Sequence, residues 1–320
     1  MKKLCSVLTL ITFVLFSTLA MASELTISIS QFVDHPALNA VLKGFQDDLA
    51  ENGVQPQYKI YNAHGNMSTA GQITSQIISD SPDMIVAIAT PSAQACARIY
   101  EKNKNMAATP MVFTAITDPL AAGLVSNYEK PGKSITGVSN RLPMDKHMEM
   151  VLRFVPGLKK LGVLYNSGEV NSVSNVKRIK EAAVALGFEI VDAPATNTAD
   201  VYQAAQSLVG KVDAFYVPTD NTVISALESV IKVSEQVDIP LFTADTDSVK
   251  RGAIAAMGFD YYLHGRQTGA LARRILAGAD PGQTPVEFQQ ELSFHVNPEA
   301  AKRMGLTVSQ AIIDSADALH

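Results

Sequence analysis

Five short apolar segments of this chain each end in a cluster of small polar residues, and an amphipathic segment follows each cluster. The apolar segments are residues 25–29, 84–89, 111–115, 214–217 and 240–244. Continuous apolar runs of strand length that alternate with helical patterns predict a parallel sheet buried on both faces. In such sheets the loops beyond the carboxyl ends of the strands line the ligand crevice. The five polar clusters are therefore where we expect a small-molecule site.

The segments between these strands carry apolar residues at helical spacing. In residues 37–51 they lie one helical turn apart, and Gly53 follows as a stop signal. The order strand, helix, strand favours right-handed crossovers and a doubly wound α/β domain. The pattern is interrupted near residues 132–139 and restarts with a helix at 144–155. We therefore predict two doubly wound parallel-sheet lobes, joined by a hinge, with a ligand in the cleft.

The same patterns give the expected lobe boundaries. Residues 23–139 together with about 258–290 are predicted to form the first lobe, and residues 140–257 the second. A strand-like segment covers residues 287–296, and a final helix begins at Pro298. The sequence leaves open which lobe holds residues 291–320.

The first 22 residues have the three parts of a secretory signal peptide. Lys2 and Lys3 form a basic start, an uncharged apolar stretch covers residues 4–19, and Ala20-Met21-Ala22 fits a processing site. A membrane span needs about 20 apolar residues, and this run is shorter. We expect cleavage after Ala22, a mature protein that begins at Ser23, and a periplasmic location.

Composition argues against several classes of function. The chain has 31 acidic residues against 26 Lys plus Arg and no basic run, so nucleic acid is not an expected partner. After removal of the leader a single cysteine, Cys96, remains, and we predict it to be a buried core residue. His35 and His64 have no second ligand at metal spacing, so we predict neither a metal nor a cofactor.

One long segment and several shorter motifs resemble a known family. The long segment is Pro110-Met111-Val112-Phe113-Thr114-Ala115-Ile116-Thr117-Asp118-Pro119, and the motifs after it are at residues 122–125, 131–132 and 135–139. Further matching pieces are at residues 34–38, 89–94, 164–166, 169, 171–172, 216–221, 252–253, 265–267 and 296–298. In these motifs the chain resembles the ABC-transporter substrate-binding proteins related to tryptophan/tyrosine uptake, which have the type I periplasmic-binding fold.

The resemblance implies a receptor rather than an enzyme. Such a receptor closes on a small molecule, here an aromatic L-amino acid (Phe, Trp or Tyr), and delivers it to an ABC permease in the membrane. We expect it to be a monomer. Two alternatives stay open: a ligand-sensing partner of a membrane receptor, and an exported hydrolase. Against the hydrolase, the chain has no Gly-x-Ser-x-Gly elbow and no His-Glu-x-x-His motif.

The carboxylate of an amino acid needs hydrogen-bond donors. Hydroxyls and backbone N–H groups at helix N-termini supply them. Thr90, Ser92, Thr117 and Asp118 each lie where a helix is predicted to begin. They can serve as helix caps, as ligand contacts, or as both, since both roles use the same free donors.

The ammonium group of an amino acid needs a carboxylate. Glu169, Asp220 and Asp245 each follow an apolar strand of the second half. Asp220 precedes a helix, so capping is an equal alternative for it. We expect Asp245 to be the ammonium partner, because Asp247 and Ser248 are better placed to cap the next helix and leave Asp245 free. A buried carboxylate without a partner is costly, and a cation would relieve that cost.

For the ligand side chain we prefer Phe32 as a wall residue, because it lies inside the first polar cluster and aromatic rings stack favourably on one another. The complete set of predicted ligand-binding residues is Ser30, Phe32, Thr90, Ser92, Thr117, Asp118, Asn166, Glu169, Asp220, Asn221 and Asp245.

Overall fold

The computed structural model describes residues 24–320, in which strands and helices alternate. The strands form two separate sheets, and each sheet has its own cluster of buried apolar side chains. Apolar runs such as Met84–Ile88 and Met111–Ile116 are buried along their whole length. Full burial is typical of parallel strands that are covered by helices on both faces. The predicted α/β architecture with two parallel-sheet lobes is confirmed.

Strands and helices are numbered here in chain order. The strands of the described residues are β1 Thr26–Gln31, β2 Gln57–Asn62, β3 Met84–Ile88, β4 Met111–Ile116, β5 Ile135–Ser139, β6 Lys160–Tyr165, β7 Glu189–Pro194, β8 Ala214–Val217, β9 Leu241–Thr243, β10 Ala255–Gly258, β11 Glu287–Phe288, β12 Ser293–Val296 and β13 Ala318–Leu319. The α-helices are α1 Pro36–Glu51, α2 Met67–Asp80, α3 Thr90–Lys102, α4 Met144–Phe154, α5 Val170–Leu186, α6 Val201–Ser207, α7 Asn221–Ser225, α8 Leu227–Val237, α9 Asp247–Arg251, α10 Tyr261–Leu276, α11 Pro298–Arg303 and α12 Gln310–Asp314.

The first lobe contains the sheet with strand order β11-β5-β4-β3-β1-β2, in which all neighbours are parallel. The second lobe contains the sheet with order β13-β12-β10-β9-β8-β6-β7, in which β12 runs antiparallel to β10. The strand order reverses between β1 and β3 in one sheet and between β6 and β8 in the other. Ligands of open α/β sheets bind beyond the carboxyl ends of strands at such reversals.

The chain passes between the two sheets three times, at residues 140–143, 259–260 and 289–292. Residues 287–296, predicted as one strand-like segment, instead form two short strands of different sheets. β11 extends the first sheet beside β5, and β12 pairs with β10 in the second. The apolar pattern of the sequence could not reveal this break. The break depends on the free edges of β5 and β10 in the folded lobes, to each of which one half of the segment adds. Phe294 and Val296 of β12 are buried in the core of the second lobe.

Helix α10 returns to the first lobe and packs along α1. Two glycines lie at this contact. A Cβ atom on Gly44 would lie 2.0 Å from the carbonyl oxygen of Tyr262, and one on Gly265 would lie 2.1 Å from the carbonyl oxygen of Val41. The two helix backbones therefore touch directly.

Other observations concern the ends and the core of the chain. Cys96 is buried in α3, as predicted, and burial raises the pKa of its thiol to about 12. Within residues 24–320 no helix is both long enough and apolar enough to cross a membrane. The predicted signal peptide and its cleavage point lie outside the described residues.

Candidate ligand-binding cleft

A cavity lies between the two lobes, beyond the carboxyl ends of both sheets, and the space between its walls, including the part open to solvent, is about 370 Å³. Its walls come from both lobes. The first-lobe side is lined by His35, Ala37, Leu38, Ala115, Thr117, Asn140 and Tyr261, and the second-lobe side by Asn171, Thr219, Asp220, Asn221, Ile224 and Asp245. One wall is thus rich in apolar groups, and the other carries two carboxylates.

Strained backbone forms part of the first-lobe wall. Ala115 has a φ angle of +56° and is an extra residue between Thr114 and Ile116, where the register of β4 against β5 shifts. A left-handed conformation is unfavourable for a residue with a Cβ atom and persists only where the surroundings hold it. The backbone N–H of Ala115 donates to Nε2 of His264 at 3.1 Å, which holds the bulge in place.

Asp220 is buried on the second-lobe wall and caps α7. One carboxylate oxygen accepts the backbone N–H of Val223 at 2.7 Å. The other accepts the backbone N–H of Asn166 at 2.5 Å and the hydroxyl of Ser172 at 2.6 Å. Burial and the neighbouring charge of Glu169 raise the pKa of Asp220 well above its usual value. Of the two alternatives that the sequence left open for Asp220, capping is realised, and the residue also lines the cavity.

Asp245 also caps a helix, which corrects a sequence-based expectation. Its Oδ1 accepts the backbone N–H of Ser248 at 2.9 Å, and its Oδ2 accepts the Ser248 hydroxyl at 2.7 Å. The expectation that Asp247 and Ser248 leave Asp245 free is wrong, because Asp245 stands three residues before the free N–H of Ser248 and fits the capping geometry. Asp247 pairs with Lys250 instead, at 3.1 Å.

Asp245 nevertheless keeps capacity for a ligand. Each of its oxygens accepts one hydrogen bond, whereas Oδ2 of Asp220 already accepts two. Burial raises the pKa of the Asp245 carboxyl. A cationic group in the cavity would therefore stabilise the ionised form of the buried Asp245 carboxylate.

Glu169 is buried but is absent from the cavity wall. Its carboxylate accepts hydrogen bonds from the side chain of Asn171, from the backbone and side chain of Asn221, and from the backbone and hydroxyl of Thr222, at 2.5–3.3 Å. This carboxylate joins the loops that follow β6 and β8. Asn166, also predicted as a ligand residue, donates its side-chain amide to the Thr222 hydroxyl at 2.8 Å in the same network.

In the part of the chain that the structure describes, two hydrogen bonds cross the cleft. The hydroxyls of Thr117 and Thr219 are 3.2 Å apart, and Ser174 donates to Oδ2 of Asp118 at 3.0 Å. Burial opposes ionisation of Asp118, but hydrogen bonds from Ala121 and Ser174 outweigh it and lower the pKa of Asp118. Since each bond joins the two lobes, the structure is in a closed arrangement. Asp118, predicted as a ligand contact, lies at this lobe contact and outside the cavity lining.

The predicted residues therefore separate into two groups. Thr117, Asp220, Asn221 and Asp245 line the cavity together. The others lie elsewhere: Asn166, Glu169 and Asp118 as described, Phe32 in a neighbouring pocket beside Asn221, and Ser30, Thr90 and Ser92 beneath the cleft.

The three buried hydroxyls of Ser30, Thr90 and Ser92 have no hydrogen-bond partner among the described residues. Thr90 and Ser92 lie inside the first turn of α3, and Ala89 occupies the capping position, with no side-chain cap. Neither residue therefore caps α3, which removes one of the two alternatives. The helix begins at Thr90, and Pro91 suits its first turn.

Sequence reasoning did not select several cavity residues, among them His35, Asn140, Asn171 and Tyr261. Asn140 directly follows β5, so the rule that selected the other strand ends could have found it. Tyr261 begins α10 and receives a hydrogen bond from Asn140 at 3.1 Å, a contact between distant parts of the chain. Among the side chains that the structure describes, no cluster of three or more His, Cys, Asp or Glu residues could hold a metal ion.

Comparisons with known proteins agree with this arrangement. A family described as ABC transporter substrate binding protein matches residues 26–320. A curated relative, the tyrosine-binding protein of Clostridioides difficile (strain R20291), is 39% identical over 284 residues, which cover 88% of this chain and 81% of the relative.

Two solved structures allow the arrangement of the lobes to be compared. The ABC domain from Streptococcus pneumonia in complex with L-Trp is 31% identical, with a TM-score of 0.88, and the match covers 93% of this chain and 100% of that one. A substrate binding protein with adhesive properties from Clostridium difficile, in a ligand-free, open form, is 37% identical but has a TM-score of 0.68, over 92% of this chain and 98% of that one. The chain thus superposes better on the ligand complex than on the open form, although its identity to the complex is lower.

Proposed function

Because the chain belongs to the ABC transporter substrate-binding protein family, we propose that it is the exported receptor of an ABC importer and binds an aromatic L-amino acid between its lobes. The observation that carries the proposal is the cavity, in which two buried carboxylates face an apolar and aromatic wall across the cleft. The names of a tyrosine-binding relative and of a similar structure with L-Trp support the same ligand class. The description of the family, a substrate-binding protein of ABC transporters, supports a role in binding for transport rather than in catalysis. We further propose that this receptor acts as a monomer that docks on a membrane permease.

The polar groups of the cavity match the two charges of an amino acid. Asp245 is the proposed partner of the ammonium group, because it is buried and each of its oxygens can accept a second hydrogen bond. A cation beside it would offset the cost of burying the carboxylate. The hydroxyl of Thr117 and the side-chain amide of Asn140 are the proposed donors for the ligand carboxylate.

The apolar wall suits an aromatic side chain. Leu38, Ala115, Ile224 and Tyr261 supply apolar surface to the cavity. An aromatic ring that packs against Tyr261 gains about 0.5–1.5 kcal/mol beyond the burial of its area.

Binding of L-tyrosine, L-tryptophan and L-phenylalanine to the exported protein tests the proposal. A ligand that binds only the folded state, at 100 times its Kd, adds about 2.7 kcal/mol to the free energy of unfolding, so the melting temperature rises. Asp245→Asn is expected to weaken binding by about 10- to 100-fold, because the ligand ammonium loses its charged partner, at a cost of about 1–3 kcal/mol.

Two control variants separate this effect from the capping role of Asp245. Ser248→Ala removes one hydrogen bond to Asp245 but keeps the carboxylate. Asp247→Asn removes a charge outside the cavity. Both are expected to bind within about threefold of wild type, because neither leaves the ligand ammonium unpaired. Wild-type affinity in Asp245→Asn, or a wild-type protein that no aromatic L-amino acid stabilises, would refute the proposal.

A further inference from the structure

A second groove lies outside the cleft, beside the first connection between the lobes. Its walls are formed by residues 141–145 and by Arg178, Glu181 and Ala182 of α5. The space between these walls, including the part open to solvent, is about 870 Å³. The groove shares no lining residue with the ligand cavity, so a site in it is separate from the cleft.

The two arginines of this groove lack a carboxylate partner. Elsewhere in the protein an arginine such as Arg273 pairs with a carboxylate, that of Asp48, at 2.8 Å. Among the side chains that the structure describes, neither Arg141 nor Arg178 takes part in an ion pair. Burial, and then the neighbouring charge of Arg141, lower the pKa of Arg178. Because arginine stays charged in proteins, the groove holds two positive charges without a direct counter-charge.

Both guanidinium groups keep N–H donors for an anion. In Arg178, Nη1 donates to the carbonyl oxygen of Leu142 at 3.0 Å and Nη2 donates to Oδ1 of Asn175 at 2.8 Å. These bonds fix the plane of the guanidinium, and each of the two nitrogens carries a second N–H that stays free. Nε of Arg178 also has no hydrogen-bond partner among the described residues. The Arg141 side chain contacts the hydroxyl of Tyr128 through Nη1, at 3.4 Å, and its other donors remain available.

The other charges around the groove limit the size of an anion that fits. Asp145 and Glu181 belong to the lining, but both are exposed, so solvent screens their repulsion of an anion. Asp118 lies behind Tyr128, whose hydroxyl donates to it at 3.3 Å. Helix α4 begins at Met144 without a side-chain cap, and its first turn adds a partial positive charge. This balance favours an anion small enough to contact the guanidinium groups without approaching the exposed carboxylates.

We propose that Arg141 and Arg178 together bind a small oxyanion of the phosphate or sulfate class in this groove. The planar guanidinium group suits such an anion, because its N–H groups form charge-assisted hydrogen bonds to two oxygens at once. The anion supplies the counter-charge that the described side chains do not. Because the groove lies outside the cleft, the site does not depend on the proposed function.

A chain of hydrogen bonds connects this site to the contact between the lobes. Arg178 holds Oδ1 of Asn175, and Nδ2 of Asn175 donates to the hydroxyl of Thr219 at 2.6 Å. The same hydroxyl lies 3.2 Å from that of Thr117 across the cleft. An anion that holds Arg178 in position therefore supports the closed arrangement, and we expect phosphate to strengthen the binding of L-tyrosine by about 2- to 5-fold. This expectation, unlike the site itself, rests on the proposed function.

The test titrates the protein with sodium phosphate and with sodium sulfate in a calorimeter, with chloride added to keep the ionic strength constant. We expect a Kd on the order of 1 mM for wild type. Arg141→Gln and Arg178→Gln should each weaken binding about tenfold or more, because each removes charged donors. Glu181→Gln should strengthen it by about 2- to 5-fold, because a carboxylate leaves the lining. Arg98→Gln removes the same charge from the exposed face of α3 and should bind phosphate like wild type.

The outcomes separate the site, its link to the cleft and the proposed function. The site is overturned if wild type binds neither anion, if Arg141→Gln and Arg178→Gln bind phosphate like wild type, or if Arg98→Gln weakens binding as much as they do. Phosphate that binds but leaves the affinity for L-tyrosine unchanged would overturn the link to the cleft alone. A wild type that binds no aromatic amino acid would overturn the proposed function, and the phosphate titration would still decide on the site. Circular dichroism of each variant confirms that the fold is retained.

Discussion

Several polar side chains in the second lobe bind one another rather than face the cavity alone. Glu169 accepts donors from Asn171, Asn221 and Thr222, and so connects the loops after β6 and β8. This contact holds Asn221, which lines the cavity, in place. A residue that does not line the cavity thus positions one that does.

In the first lobe, His264 likewise does not line the cavity but holds a residue that does. Its Nε2 accepts the N–H of Ala115, which lines the cavity, and its Nδ1 lies 2.9 Å from Oε1 of Gln289, in the last connection between the lobes. Burial lowers the pKa of His264 to about 4. A single neutral imidazole therefore links the strained wall of the cavity to a connection between the two sheets.

We expect His264 to make the protein less stable as the pH falls from about 6.5 towards 4. In this range the unfolded chain binds a proton at position 264 and the folded protein does not, so the stabilisation that is complete above pH 6.5 is progressively lost, by at most about 3 kcal/mol. Urea denaturation at pH 7 and 4.5 measures the free energy of unfolding. The control is His264→Gln, which does not titrate and should lose less stability between the two pH values than wild type.

The comparison of the two proteins removes the contributions of other titrating groups. His147 is also buried with a pKa lowered to about 4, and the raised pKa of Asp220 contributes with the opposite sign. An equal loss of stability in wild type and His264→Gln would show that His264 does not contribute.

Among the elements, α1 and α10 pack with their backbones in direct contact. Gly44 and Gly265 let the two backbones touch, and Tyr261 at the beginning of α10 is thereby placed in the cavity wall. The glycines cost helix stability, because glycine is a weak helix former. Their cost is offset by the packing that direct backbone contact allows.

We expect Gly265→Ala to destabilise the protein by about 1–3 kcal/mol or more, because the added Cβ would lie 2.1 Å from the carbonyl oxygen of Val41. The matched control is Gly71→Ala in α2, where the added Cβ has no neighbour within 4 Å. That variant should gain about 0.5–1 kcal/mol from helix propensity alone. Urea denaturation of both variants measures the difference, and equal stability of the two would contradict the backbone contact.

At the scale of the whole molecule, the structure represents the closed arrangement of two lobes. The bonds between Thr117 and Thr219 and between Ser174 and Asp118 join the lobes directly. They can form only when the cleft is closed, so they bias the equilibrium between open and closed forms. A ligand that contacts both walls biases the same equilibrium in the same direction.

We expect ligand to reduce the radius of gyration and Ser174→Ala to weaken ligand binding by about 2- to 10-fold. The variant removes a hydrogen bond worth about 0.5–1.5 kcal/mol from the closed form only, so a smaller fraction of the protein is competent to bind. Small-angle scattering and calorimetry measure the two effects. Ser79→Ala, on the exposed surface of α2, is the control and should bind like wild type. Scattering curves that do not change with saturating ligand would contradict closure.

The sequence alone determined the alternation of strands and helices, the burial of the central strands and the edge at which the cavity lies. These features are local, because apolar periodicity and polar strand ends are properties of neighbouring residues. Thr117, Asp220, Asn221 and Asp245 were predicted from the polar clusters alone, and all four line the cavity. Their common position at the cavity follows from the general geometry of parallel sheets, which needs no knowledge of individual contacts.

Only the tertiary structure decided which polar groups face the cavity and which bind one another. Hydrogen bonds such as those of Glu169 to Thr222 and of Asn140 to Tyr261 join residues far apart in the chain. The split of residues 287–296 between two sheets also depended on which edges were unpaired in the folded lobes. The tertiary structure likewise decides which buried polar atoms, such as Nδ1 of His35, have no hydrogen-bond partner among the described residues, because their possible partners come from distant parts of the chain.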